Sequence, residues 1–205
     1  MAASEAEICN LAIAICESDK FIESLDESSQ EAINCKVWYA ATRDLVLRKA
    51  AWPFAKKRGL LNLSGTPPSI WDYSYVLPGD CLTALGVEDG SGSSWPFSSI
   101  DTRATYAIEN DGTGDGRRIY MNVRDAKLIY TMRAVNPTIY SPEFVEALSW
   151  KLASNIARPL KIGADKAREI LQFSEQLMAR SAAMAYNEQK PGPAPTTDLY
   201  TGRLC

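Results

Sequence analysis

Two blocks of helical periodicity, one running up to Trp52-Pro53 and one starting at Ser141-Pro142, enclose a middle third that carries strand grammar instead. Apolar spacing of 3.6 buries one helix stripe, and spacing of 2 buries one sheet face. A chain that changes period twice is therefore neither all-helical nor all-sheet. The order helix–strand–helix predicts an α+β fold, with the β part inserted between helix pairs.

The first block opens on a capping box, Ser4-Glu5-Ala6-Glu7, with serine at the N-cap and glutamate at N3. Ile8, Leu11, Ala12 and Ile15 then follow as one apolar stripe. Asp19 to Asp26 reads as a connector, with Phe21-Ile22 able to tuck into the core. Ser28-Ser29-Gln30-Glu31 repeats the box and predicts a second helix to about Ala51. Its inner face is Ala32, Cys35, Tyr39, Thr42 and Val46, broadened by Trp38 and Leu45. Arg43, Arg48 and Lys49 near its end favour the helix dipole. Pro53 stops it, because the residue before a proline avoids the helical region.

In the middle, Phe54 to Leu63 predicts a strand broken at Gly59, and Pro67-Pro68 a rigid turn. Trp71, Tyr73 and Tyr75 alternate with Asp72, Ser74 and Val76, the period of a strand with one aromatic face. Cys81 to Val87, Ala104 to Glu109, Arg118 to Asn122 and Ala126 to Arg133 complete one small, mostly antiparallel sheet. Asp89 to Ser94 is a Gly/Ser loop, and Asn110 to Gly116 a tight hairpin turn carrying Asp-Gly.

Ser141-Pro142-Glu143 places serine at an N-cap and proline at N1. Phe144, Leu148, Leu152 and Ile156 form an i+4 row. Pro159 and Gly163 bound a corner, and a last helix starts near Ala164. Its face is Ala167, Ile170, Leu171, Ser174, Leu177, Met178, Ala182 and Ala185. From Asn187 to Cys205 the chain is rich in Pro, Thr and Gly without periodicity, and reads as a flexible or extended tail. The expected organisation is a four-helix bundle from 1–53 and 138–186, a β-rich insertion at 54–137, and an extended C-terminal arm at 187–205.

Composition limits the chemistry. At 205 residues the chain is long enough to bury a core without disulfides or metal. It is 46% apolar and 23% charged, with a net charge of -3, so it carries no basic field for capturing nucleic acid. There is no histidine, which removes the commonest metal ligand and general base and excludes Ser-His-Asp and Cys-His sites. The five cysteines, Cys9, Cys16, Cys35, Cys81 and Cys205, are odd in number and include no CxxC. They read as small buried thiols in a reduced setting. No secretory leader pattern opens the chain, and no apolar run is long enough to cross a membrane.

Several patterns have a chemical reading beside a structural one. Asp111, Thr113 and Asp115 alternate as calcium-loop ligands do, but the glutamate expected at the twelfth position is missing, and a hairpin turn explains them better. The acidic pairs Glu23/Asp26 and Glu143/Glu146 have the two carboxylates that glycoside hydrolysis needs, yet surface carboxylates on helices are far commoner. Trp71, Tyr73 and Tyr75 could stack on sugars or bases; with no basic patch beside them, a sheet core or subunit interface fits better. Leu199, Tyr200 and Leu204 lie where nothing local buries them, so the tail is either disordered or an anchor for a partner.

Ala6-x-x-Cys9-Asn10 opening a helix, then Ile22-x-Ser24-Leu25, then an Ala/Cys helix closing on Trp52-Pro53-Phe54-Ala55, resembles the tail tubular protein A family of short-tailed phages (podoviruses), the head-to-tail adaptors or connectors. Trp71-x-Tyr73-x-Tyr75-x-Leu77-Pro78-x-Asp80-Cys81-Leu82 fits the same family. So do the segments from Glu146-Ala147-Leu148 to Lys161 and from Ala164 to Tyr186, which resemble its paired helices. Residues 86–105 and the tail after Asn187 match least.

The resemblance implies a virion structural protein without catalytic residues, cofactor or metal. It implies a dodecameric ring below the portal protein, with DNA passing through the centre and no sequence-specific binding. A nozzle, or tail tubular protein B, would sit on the other side, with tail fibres as further partners. The place of action would be the virion tail, assembled in the host cytoplasm. Some such adaptors have been linked to cell-wall hydrolysis, which makes a peptidoglycan-hydrolysing tail protein the alternative. Within this reading Leu199, Tyr200, Arg203 and Leu204 are the arm that docks on portal or a neighbouring subunit. Asp111, Thr113 and Asp115 mark distal loops that meet later tail parts, on the side of the insertion away from the portal.

Overall fold

A computed structural model describes residues 4–88, 105–110 and 116–187. Those residues form an α+β structure with four α-helices and two small antiparallel sheets. They divide into two compact units, one of residues 4–57, 80–84 and 130–187, the other of 58–79, 85–88, 105–110 and 116–129.

The first unit holds the helices: α1 (Glu5–Ile15), α2 (Gln30–Lys49), α3 (Pro142–Ile156) and α4 (Ala164–Asn187). The box at Ser4 forms as expected: Ser4 Oγ accepts from Glu7 N at 3.1 Å, and Glu7 Oε2 accepts from Ser4 N at 2.8 Å. Ser141 caps α3 with Pro142 in its first turn, and Phe144, Leu148, Leu152 and Ile156 are all fully buried. They meet Ile8, Cys9, Ala12 and Ile13 of α1, Ala32, Cys35, Val46 and Leu47 of α2, and Ile170 and Ala185 of α4 in one core. α3 is the central helix, packed against each of the other three. Burying each large apolar side chain here contributes roughly 1.5–3 kcal/mol.

Several expectations change. The buried stripe of α1 is Ile8, Cys9, Ala12 and Ile13, while Leu11 is exposed and Ile15 only half-buried. The face turned inward pairs the large Ile8 and Ile13 with the small Cys9 and Ala12, which leaves Leu11 on the outside. α2 is capped by Ser29, whose Oγ accepts from Ala32 N at 3.2 Å, so the expected box one residue earlier does not form. The helix ends at Lys49, with Ala50 already extended, before Pro53 is reached. Pro53–Ala55 is a turn of 3-10 helix, and Trp52 before it is buried. The Trp52 ring meets Phe144 edge-on with centroids 5.1 Å apart, and Phe54 bridges to Phe144 and Tyr140. In the connector Ile22 is buried but Phe21 is exposed, and Leu171 of α4 is exposed as well.

The expected single sheet is two three-stranded sheets. One has the order β1 (Lys56–Leu60), β6 (Lys127–Met132), β3 (Cys81–Glu88). The other has the order β2 (Tyr73–Val76), β5 (Arg117–Met121), β4 (Tyr106–Asn110). Each later strand inserts between two earlier ones, a pairing that periodicity along the chain does not reveal. β1 runs through Gly59 without a break. In the second unit β5 is the central strand of its sheet: Ile119 faces Tyr75 on one side and Ile108 on the other. Tyr75 and Ile119 are fully buried, and the Tyr75 hydroxyl donates to Val123 O at 2.7 Å. Asn110 pairs with Arg117, so β4 and β5 form the hairpin expected around the Asp-Gly turn.

Candidate functional site

The named candidates fall mostly outside the described residues. That is true of Asp111, Thr113, Asp115, Leu199, Tyr200, Arg203 and Leu204, and of the Asp89–Ser94 loop. The surfaces that stand out are instead two apolar ones on the helical unit.

The first is a ridge on α2. Its inner face buries Ala32, Cys35, Tyr39, Thr42 and Val46 as expected, but Trp38 and Leu45, expected to broaden it, are exposed. The opposite face is apolar too: Ile33, Val37 (65% exposed), Ala41 and Leu45 recur at i+4, flanked by Trp38. A helix with apolar residues on both faces reserves one of them for something other than its own core. The row ends in exposed Arg48 and Lys49.

The second is a groove of about 730 Å³. One wall is α1, through Leu11, Ala14 and Ile15. The other is the start of α3, through Pro142, Val145, Glu146, Ser149 and Trp150, and Thr138 and Tyr140 close one end. Three of its hydroxyls are already engaged. Tyr140 donates to Ala134 O at 2.8 Å, Ser149 donates to Val145 O at 2.8 Å, and Thr138 donates to Asn136 Oδ1 at 2.9 Å. Among the described residues lining it, Glu146 is the one charged side chain. A concave, mostly apolar site whose hydroxyls are engaged binds chiefly by burial. Sequence inspection missed both surfaces, because the signal is not a motif: it is Ile33, Val37 and Leu11 standing off the buried stripe of their helices.

The polar clusters of this unit have structural partners. Arg43, buried on α2, grips Asp44 Oδ1 through Nε and Nη2 at 3.0 and 2.8 Å, and Arg133 Nε donates to Asp44 Oδ2 at 2.8 Å. Asp80 accepts from Lys57 Nζ at 2.8 Å and from the Tyr130 hydroxyl at 3.0 Å. Burial opposes the Asp80 carboxylate, but these two hydrogen bonds, the Lys57 charge and a backbone hydrogen bond together outweigh it and hold its carboxyl below the usual range. Of the acidic pairs, Asp26 is ion-paired with Lys36 at 2.7 Å, which lowers its carboxyl, the opposite of what a general acid needs.

Cys9, Cys16, Cys35 and Cys81 are buried and in no disulfide. A hydrogen bond with Cys35, and then burial, push the Cys9 thiol up, and burial pushes Cys16 up to about 11. The same bond lowers Cys35, so of these three only Cys9 and Cys16 are held protonated and poorly nucleophilic, while Cys35 is shielded by its burial. Burial and the neighbouring Tyr140 hydroxyl raise Tyr39. Burial pushes Tyr140 up to about 12. Among the described residues, no group of three or more acidic or cysteine side chains could hold a metal ion, and no helix is long and apolar enough to cross a membrane. No protein-family model matches the chain, and no curated protein matches it.

Proposed function

We propose that this chain is a virion structural protein, a head-to-tail adaptor that forms a ring between the portal and the tail nozzle of a short-tailed phage. The observation that carries the reading is the apolar ridge and groove on the helical unit, left over after a complete core has formed. An assembly component needs such surfaces, because each copy must bind its neighbours. The order of the segments at Trp52–Ala55, Trp71–Leu82 and the two later helices supports the same reading by resemblance.

In this reading α1 to α4 act as one four-helix bundle and copies pack side by side, twelve to a ring by resemblance. DNA passes through without sequence-specific contacts, in keeping with a net charge of -3. Leu199, Tyr200, Arg203 and Leu204 dock on portal or a neighbouring subunit, and Asp111, Thr113 and Asp115 mark loops toward later tail parts. The test is negative-stain imaging of the purified protein mixed with portal. The expected result is a ring seated on portal; co-purification with portal only as a monomer or dimer would sink the reading.

A further inference from the structure

The ridge and the groove are complementary to each other. Ile33, Val37, Ala41 and Leu45 form an i±4 ridge, the kind of row that fits an inclined apolar groove. At about 1.5 Å per residue the row is about 18 Å long. The groove runs about 12 Å along α3 from Pro142 to Trp150 by the same rise, and Thr138 and Tyr140 extend it beyond Pro142. Charge matches as well. The ridge ends in Arg48 and Lys49, and the charged residue lining the groove is Glu146.

We propose that the α2 ridge of one copy docks into the α1–α3 groove of a second copy, head to tail. The two surfaces share no residue, so each copy can offer both at once. Such a contact is heterologous: it repeats from copy to copy and closes into a ring if the rotation allows. An apolar helix row laid in a groove is an established recognition mode, here with Ile33 and Val37 as anchors, since Leu45 and Lys49 also line a pocket against α4, and with Glu146 facing the basic end. The proposal rests on the adaptor reading for its biological sense, since that reading requires contacts between copies, but its test does not involve portal.

The test is sedimentation equilibrium on the full chain across its soluble concentration range. Self-association is expected, weakened roughly tenfold or more by Val37→Asp on the ridge and by Ala14→Arg in the groove. Both positions are exposed, and circular dichroism checks that the variants fold. Leu11→Asp replaces Ala14→Arg if helicity falls. Each single variant keeps one surface intact. Mixed together they should form a species of twice the monomer mass and nothing larger, because one productive contact remains. A protein that is monomeric throughout, association that survives Val37→Asp, or variants that fail to pair when mixed would each overturn the proposal. Association with the expected variant pattern but no binding to portal would uphold this contact and sink the adaptor reading.

Discussion

Asn10 grips the backbone of Ile22 with both ends of its amide: Oδ1 accepts from Ile22 N at 2.9 Å, and Nδ2 donates to Ile22 O at 2.8 Å. Those two bonds fold the connector after α1 back on the helix and seat the Ile22 side chain in the core. Asn10→Ala removes both and leaves a half-buried N–H and C=O with no partner from that side chain. It should destabilise the protein by about 1–3 kcal/mol in chemical denaturation. Asn10→Asp keeps the acceptor but turns a carboxylate oxygen toward the Ile22 carbonyl, and should cost at least as much as Asn10→Ala; an Asp variant as stable as wild type would argue against the paired contact.

Trp52 donates its indole N–H to Val46 O at 3.0 Å, inside an aromatic cluster with Phe54 and Phe144. Trp52→Ala should cost about 3–5 kcal/mol. Trp52→Phe keeps most of the packing, and should cost less. Thermal or urea unfolding reads both.

Ser29, and not Ser28, caps α2. Ser29→Ala should cost about 1 kcal/mol, and Ser28→Ala close to nothing. Equal effects from the two substitutions would place the cap elsewhere.

Acid stability should carry the mark of Asp80. Its carboxyl lies below the usual range in the folded chain, so protonation favours the unfolded one. The Asp80 contribution is complete above the unfolded value of roughly 3.9 and disappears as pH falls through the lower folded value. The stability gap between wild type and Asp80→Asn should therefore close in that acid window and stay constant above it. Unfolding midpoints measured across the acid range check this.

Thiol labelling should follow unfolding. With Cys9 and Cys16 pushed up and all four described cysteines buried, alkylation at neutral pH should wait for global or local opening. Mass mapping of labelled peptides in native and denaturing buffer separates them; rapid native labelling of Cys9 or Cys16 would contradict the burial.

Much of the local structure was legible along the chain. The Ser4 box, the Ser141-Pro142 start and the row Phe144, Leu148, Leu152 and Ile156 depend on residues within a turn or two of one another, so sequence spacing contains them. The hairpin joining β4 to β5 was visible for the same reason. The ridge and the groove were not. Their residues are ordinary apolar positions, and they become surfaces only when a helix chooses which of two apolar faces to bury.

The sequence by itself determined the order of helix and strand, the main caps and the inner face of α3, because these follow from backbone period and short-range hydrogen bonds. Tertiary structure decided the rest. Close packing against α3 turned Leu11 outward in favour of Cys9 and Ile13, and left Ile33 and Val37 exposed on α2. Strand pairing split the expected sheet in two, with β6 between β1 and β3 and β5 between β2 and β4. The physical reason is common to both. A stripe or a strand states how much apolar surface must be buried, but only the partner it meets states which part.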